Sequence, residues 1–407
     1  FSPESLSVLE ISGDKDLSIL SKIYEHSILL GDESKQGWGI SISNEFHMTN
    51  DSHLFPPQDT WREWGYEPDE YSRWIKGPWK PVEELYELPE VRPHVHTLAV
   101  VAQPPYNTLR VKRCDLPVGV ILSRDCTKWL RYDEIPDVTF TEANGKVITY
   151  KVGTGKHAHV YEISGKAIAI PLYQGRMVAQ FNHSHKIWIS GASNKAVWGD
   201  VSSEAKYVHP NYLMGENVAL RLGGQQFKSV FRAITNSTNK RTLFCGCLSQ
   251  GVCCHKLNLI TTHRITSVCQ SHELPRGMQQ ITSLKLITQI LNSLTFDWVV
   301  RFRLAGIELS QFIMQDCPLI RPENMAILEC LADKLNNNDK IYASTLHEGE
   351  SIAFAQTDAE KMRLMVISDA VIAKLYGLNE EDYRFVLAEC DYPADMLSNK
   401  KFAAGCL

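Results

Sequence analysis

The chain has 407 residues, 44% apolar and 22% charged, with 24 Gly and 18 Pro, a globular composition that excludes collagen-like, disordered and coiled-coil classes. No apolar run approaches the roughly 20 residues of a membrane-spanning helix, and the length leaves room for about two or three folded units. The net charge of −5 divides into −10 over residues 1–100, +12 over 101–321 and −7 over 322–407, so a basic block able to steer a polyanion lies between two acidic ones.

The first predicted element is an amphipathic helix over Asp16–Tyr24, with Asp16 as N-cap and Leu17, Leu20 and Tyr24 on one face beside Ile23. Alternation over Trp38–Ser43 predicts a strand. Trp61, Trp64, Tyr66, Tyr71, Trp74 and Trp79, interrupted by prolines and by Gly65 and Gly77, read as an irregular packed insertion. Residues 95–240 read mostly as strands and turns, among them His96–Ala102, Val118–Leu122, Val147–Val152, His159–Ile163 and Ala167–Leu172. Asn144-Gly145 predicts a hairpin between Val138–Thr141 and Lys146–Lys151. Phe227–Thr235 and Arg241–Leu248 are two further predicted strands around the polar turn Asn236–Lys240, whose tip is expected to project.

Beyond Pro275 the apolar period changes from two to 3.6. Ile281, Leu284 and Leu291 trace one helix face, and Ser293 caps a second helix through Leu304. Met325–Leu335 forms a third helix; Asp358 caps a fourth, which runs to Tyr376 and closes at Gly377. Asn379 and Asp382 frame the start of a last helix, Glu380–Glu389. The expected class is α+β, a β-rich basic domain followed by a helical C-terminal region.

Several chemical motifs have plainer readings. Eleven cysteines, an odd and uneven set, point to a reduced, cytoplasmic compartment. The start, Phe1-Ser2-Pro3-Glu4, carries no secretory signal and reads as the middle of a longer frame. Gln103-Pro104-Pro105-Tyr106 has the outline of an amino-methyltransferase motif, but no glycine-rich cofactor loop precedes it, so it reads as a turn closing a strand. Cys245, Cys247, Cys253, Cys254 and His255 match no standard zinc spacing and read as buried, reduced thiols with a neighbouring imidazole. His157, His159, His183 and His185 read as surface histidines. No catalytic residue and no metal ligand is assigned.

Four polar and aromatic stretches are too polar for plain core: Glu45–Phe55, Pro171–His183, Phe231–Thr242 and Asn292–Arg301. Their Arg, Lys, Asn and Thr side chains are the donors that grip phosphate oxygens, and Arg, Asn and Gln also read base edges. In this order, and with the tail Leu375–Tyr383, they resemble the C-terminal half of the large adenine-specific DNA methyltransferases of phage defence. These comprise Type IIG restriction–modification enzymes and related BREX-like methyltransferases. The resemblance spans about residues 38 to 390 and rests on Asn50, Asp51, Tyr173, Arg176, Asn292, Asp297 and Arg301 among others.

The resemblance implies that 101–321 is a DNA target-recognition domain, 1–100 a lead-in from a catalytic domain plus the aromatic insertion, and 322–407 an acidic helical support. It implies sequence-specific recognition of double-stranded DNA, with Lys186, Lys195, Arg232, Asn236, Thr238, Asn239, Lys240 and Arg241 as candidate contacts. It places S-adenosylmethionine in a catalytic methyltransferase domain N-terminal to this region, in the same or a companion chain, with no cofactor in this one. Two alternatives remain open at this point. One is a self-contained methyltransferase with a divergent site at Gln103–Tyr106; the other is a protein-interaction scaffold using the aromatic insertion.

Overall fold

In the main sheet, four antiparallel strands run in the order Cys245–Leu248, Lys228–Arg232, Leu257–Thr262 and Ile40–Ser43. This computed structural model describes residues 1–3, 9, 11, 13–34, 37–63, 66–68, 72–76, 100–103, 108–112, 120–122, 129–131, 137–141, 147–151, 160–163, 168–201, 207–215, 218–219, 227–237, 239, 241–249, 251–263, 276–321, 325–336, 355 and 357–389. The strand period of two divides the sheet's side chains between two cores. Ile42, Phe231, Cys245 and Ile260 join the helical core, whereas Val230, Leu248, Leu257 and Leu259 pack with Tyr173, Met177 and Val178. Both faces are covered, so the central strand Lys228–Arg232 is buried at four of its five positions although its sequence, Lys-Ser-Val-Phe-Arg, is largely polar. Its one buried cation, Lys228, is paired with Glu45, whose other oxygen accepts from the Cys253 amide at 2.6 Å.

A second sheet orders Leu213–Gly215, Ile168–Tyr173, Trp74–Lys76 and Tyr66–Pro68, with Val252–Cys253 added in parallel to Leu172 and Tyr173. The aromatic insertion is therefore more regular than its prolines imply. It supplies the short helix Gln58–Glu63 and the antiparallel pair Tyr66–Pro68 and Trp74–Lys76. Trp61, Tyr66 and Trp74 form a buried cluster with Ala169 and Leu213. These rings cannot serve as an exposed docking surface. Trp64, Tyr71 and Trp79 lie outside the described residues.

In the chain between Ile40–Ser43 and Lys228–Arg232, the strands Val160–Ile163, Thr108–Lys112 and Val100–Gln103 form a three-stranded antiparallel sheet. Val120–Leu122 pairs with Trp129–Arg131, and Asp137–Thr141 pairs with Val147–Lys151. The last pair matches the strands predicted on either side of Asn144-Gly145, with Thr141 opposite Val147; the turn itself lies outside the described residues. Gln103 pairs with Thr108, so the motif at 103–106 begins on a strand end that faces the next strand; Pro104, Pro105 and Tyr106 lie outside the described residues.

The helices follow their sequence signals closely. Ser293 Oγ accepts from the Phe296 amide at 3.2 Å and starts Leu294–Arg303 one turn after Arg276–Leu291 ends. Asn379 and Asp382 cap each other's amides at the head of Glu380–Glu389. Gly377 follows Asp358–Leu375 at φ +77°, the left-handed position that glycine tolerates. Two predicted details shift. Thr357, not Asp358, caps that helix, accepting from the Glu360 amide at 3.1 Å. The first helix spans Asp14–Glu25 from Gly13 and buries Asp16, Ile19, Leu20 and Ile23, leaving Leu17 44% exposed. Its buried face is thus rotated from the predicted one, and Asp16 sits inside the first turn.

Lys15 and Lys22 of that helix both bond Asp382 of the last one, at 3.0 and 2.6 Å. One core unites Ile19, Ile23 and Trp38 with Phe231, Leu291, Phe296, Leu328, Ile372 and Val386. The boundaries expected at 100/101 and 321/322 therefore do not separate independent cores, because strand and helix partners come from all three segments. The class is α+β. No described helix is long and apolar enough to cross a membrane.

Candidate nucleic-acid interface

The third and fourth polar stretches meet in a buried latch. Asp297, fully buried, accepts from the amides of Thr242 and Leu243 through Oδ1 at 2.9 and 2.7 Å, and from Arg301 Nε through Oδ2 at 3.1 Å. Arg301 also donates to the carbonyls of Ser237 and Asn239, at 2.9 and 3.0 Å. Arg241 donates to the carbonyls of Asn292 and Ser293 and lies 3.8 Å from Asp297. Asn292 acts as a surrogate strand: its Oδ1 accepts from Cys245 N at 3.1 Å and its Nδ2 donates to Cys245 O at 2.8 Å. This satisfies the Cys245 amide on an edge strand, which would otherwise be buried without a partner, and adds a second donor to the Cys245 carbonyl, which also accepts from the Phe181 amide at 3.1 Å.

The projecting tip expected at Asn236–Lys240 is accordingly corrected. Its described residues are clamped to the Leu294–Arg303 helix, and Arg241 points inward as a structural pin. Asn236 is half-buried and Asn239 is exposed, while Thr238 and Lys240 lie outside the described residues.

The other polar stretches converge elsewhere, on a cavity of about 600 Å³. Met48 and Thr49 come from the first, Gln174, Gly175 and Arg176 from the second, and Arg232 and Ile234 from the third. Lys256, Trp198, Asn211 and Tyr212 complete the polar and aromatic wall. Arg176 is exposed, and among the described residues neither Arg176 nor Arg232 has a carboxylate partner. Arg232 is fixed in place: its Nε donates to the Val178 carbonyl and its guanidinium lies 4.4 Å from the Phe244 ring centroid. Burial, and the positive charge of Arg176, pull its pKa down to about 10. It is charged at neutral pH but stands in a field that favours an incoming anion. Lys256 has one exposed partner, Glu308, at 3.1 Å.

Behind the Met48–Thr49 wall, His47 and His255 stack with centroids 4.1 Å apart. The Thr49 amide donates to His47 Nδ1 and the Met48 amide to His255 Nδ1, each at 3.3 Å. Asp51 accepts from the His47 amide at 2.7 Å. Burial, with the nearby His47 and Lys256, holds the His255 pKa below its usual value. Asp51 thus shapes the loop that carries Thr49, and the exposed Asn50 sits at its turn. Tyr173 is buried beneath the second block, and Gly251, at φ +94°, makes room for its ring: a Cβ there would lie 2.7 Å from Tyr173 Cε2.

The remaining candidates separate. Lys186 bonds Asp200 at 3.0 Å across the strand pair Lys186–Ser190 and Val197–Asp200. Lys195 is exposed at the tip of that hairpin, whose Ser193, Ala196 and Trp198 border the cavity. His183 is 1% exposed and His185 half-buried, correcting their reading as surface residues; His157 and His159 lie outside the described residues. The Cys245 and Cys247 thiols face Thr288, whereas Cys253 joins the opposite core. Burial pushes the first two up to about 11 and about 12, the range of unreactive thiols. Among the described residues no group of three metal-ligating side chains is assembled.

Sequence reasoning missed Lys256, Trp198, Asn211 and Tyr212. The signal for Lys256 is faint: His255-Lys256 interrupts an apolar run from Val252 to Ile260. S-adenosylmethionine fits this cavity poorly. Its sulfonium and ammonium are cationic, and the described wall offers three cations and no carboxylate. A scan of protein-family models, a search of curated proteins and a search of solved structures each find no match.

Proposed function

We propose that this chain is a sequence-specific, double-stranded DNA recognition region of an adenine-N6 DNA methyltransferase or Type IIG restriction–modification enzyme. In this reading it works with a catalytic, S-adenosylmethionine-binding domain in the same or a companion chain. The observation that carries the proposal is the convergence of three of the four resemblance blocks on one cavity whose guanidiniums lack carboxylate partners among the described residues. Arg176, Arg232 and Lys256 meet phosphate oxygens, and Lys195 extends the positive surface along the adjoining hairpin. Thr49, Gln174 and Asn211 supply neutral donors and acceptors within the same reach. The poor fit to S-adenosylmethionine argues against a self-contained enzyme centred on this cavity. The burial of Trp61, Tyr66 and Trp74 argues against the aromatic scaffold.

Titration of fluorescent duplex DNA at stepped salt concentrations tests the proposal. Each cation that meets a phosphate adds about 0.9 to the fall of log affinity with log salt, so a steep decline is expected. A flat response to salt overturns the reading.

A further inference from the structure

The cavity is larger than phosphate neutralisation requires. A duplex backbone needs only surface cations, yet here two guanidiniums, an ammonium and two aromatic rings surround about 600 Å³, the size of a small-molecule site. We infer that the cavity is a single-nucleotide site, taking one nucleoside 5′-monophosphate unit with its phosphate on Arg176 and Arg232 and its base along Trp198 and Tyr212. The inference deepens the DNA-recognition reading and rests on it for the source of the nucleotide.

Three features support this chemistry. Arg232 is held rigid by the Val178 carbonyl and the Phe244 ring, while among the described residues no hydrogen-bond partner is present for its terminal nitrogens. It is a pre-set half of a phosphate fork. Arg176 stands close enough to depress its pKa, an arrangement unfavourable when empty and relieved by a dianion. Trp198 and Tyr212 line the cavity with aromatic rings, a platform for any base, since every base has a π-face. The nucleotide has two sources: a free monophosphate, or a nucleotide turned out of a bound duplex.

The test uses the full chain and four probes: 2′-deoxyadenosine 5′-monophosphate, 2′-deoxyadenosine, inorganic phosphate, and a duplex with one looped-out nucleotide set against its perfect counterpart. Tryptophan fluorescence and calorimetry report binding. A nucleotide site binds the monophosphate at least about tenfold more tightly than nucleoside or phosphate, or prefers the looped-out duplex by a similar factor. Arg176→Gln, a surface change that spares the fold, weakens the preferred probe about tenfold; Arg232→Gln does the same where it folds. Preference for the free monophosphate alone assigns a free ligand, and preference for the looped-out duplex assigns a DNA-borne one. If neither probe is preferred, or if Arg176→Gln changes nothing, the inference falls. Retained salt-dependent binding of the perfect duplex then leaves the DNA reading standing, and its loss removes both.

Discussion

Arg232 and Arg241 come from the same polar stretch, and the fold treats them in opposite ways. At the latch, Arg241 and Arg301 are matched to carbonyls and to Asp297, a carboxylate with no solvent exposure. At the cavity, Arg232 and Arg176 share one wall with no carboxylate among the described residues to neutralise them. The first arrangement fixes a strand, a turn and a helix. The second keeps charge in reserve. Arginine content alone does not separate a structural block from a binding surface; the identity of each guanidinium's partner does.

The largest expected effect lies at the latch. Asp297→Ala removes the acceptor for two buried amides and Arg301, and breaking such a buried charged network costs about 3–5 kcal/mol. Chemical denaturation checks this, and a loss below about 1 kcal/mol would mean that the latch does not hold the fold. Asn292→Ala is the next step down. It orphans the Cys245 amide, worth roughly 1–3 kcal/mol when buried without a partner, while the Cys245 carbonyl keeps the Phe181 amide as donor. A melting curve unchanged by this substitution would show that water replaces the side chain.

A smaller effect depends on pH. Asp369 accepts from the Leu294 amide at 2.8 Å, next to Arg241 and Asp297. Burial raises its pKa from 3.8 to about 7, against the pull of Arg241 and the amide, with the Asp297 charge adding to the rise. The folded state therefore holds this proton at pH values where the unfolded chain has released it. This group's contribution to stability declines as pH rises from about 4 to about 7 and is level above that. Asp369→Asn keeps an acceptor for Leu294 and should flatten the decline, raising the melting temperature above pH 7. An unaltered pH profile would show that Asp369 is ionised in the fold.

Local signals in the sequence were legible because their causes are local. Ser293, Asn379, Asp382 and Gly377 act within one helical turn of themselves, and the strands Asp137–Thr141 and Val147–Lys151 pair across a short connection. The latch and the cavity were not separable by the same means. Whether Arg241 or Arg232 finds a carboxylate depends on Asp297 arriving from a helix more than 50 residues away. Likewise, the first two segments join through Ile40–Ser43 pairing with Leu257–Thr262, and the third through Asp382 bonding Lys15 and Lys22, contacts that no local pattern encodes. The regularity of the aromatic insertion is hidden for a related reason: prolines and glycines interrupt it, while the strand that completes its sheet, Ile168–Tyr173, lies far along the chain.

The most direct test of the contrast between matched and unmatched arginines is the salt dependence of duplex DNA binding in Arg176→Gln and Arg301→Gln, each referred to its folded fraction. Arg176→Gln is expected to lower the salt slope by about one, while Arg301→Gln lowers the melting temperature and leaves the slope of the folded protein unchanged. A slope lost at Arg301 and kept at Arg176 would contradict that contrast.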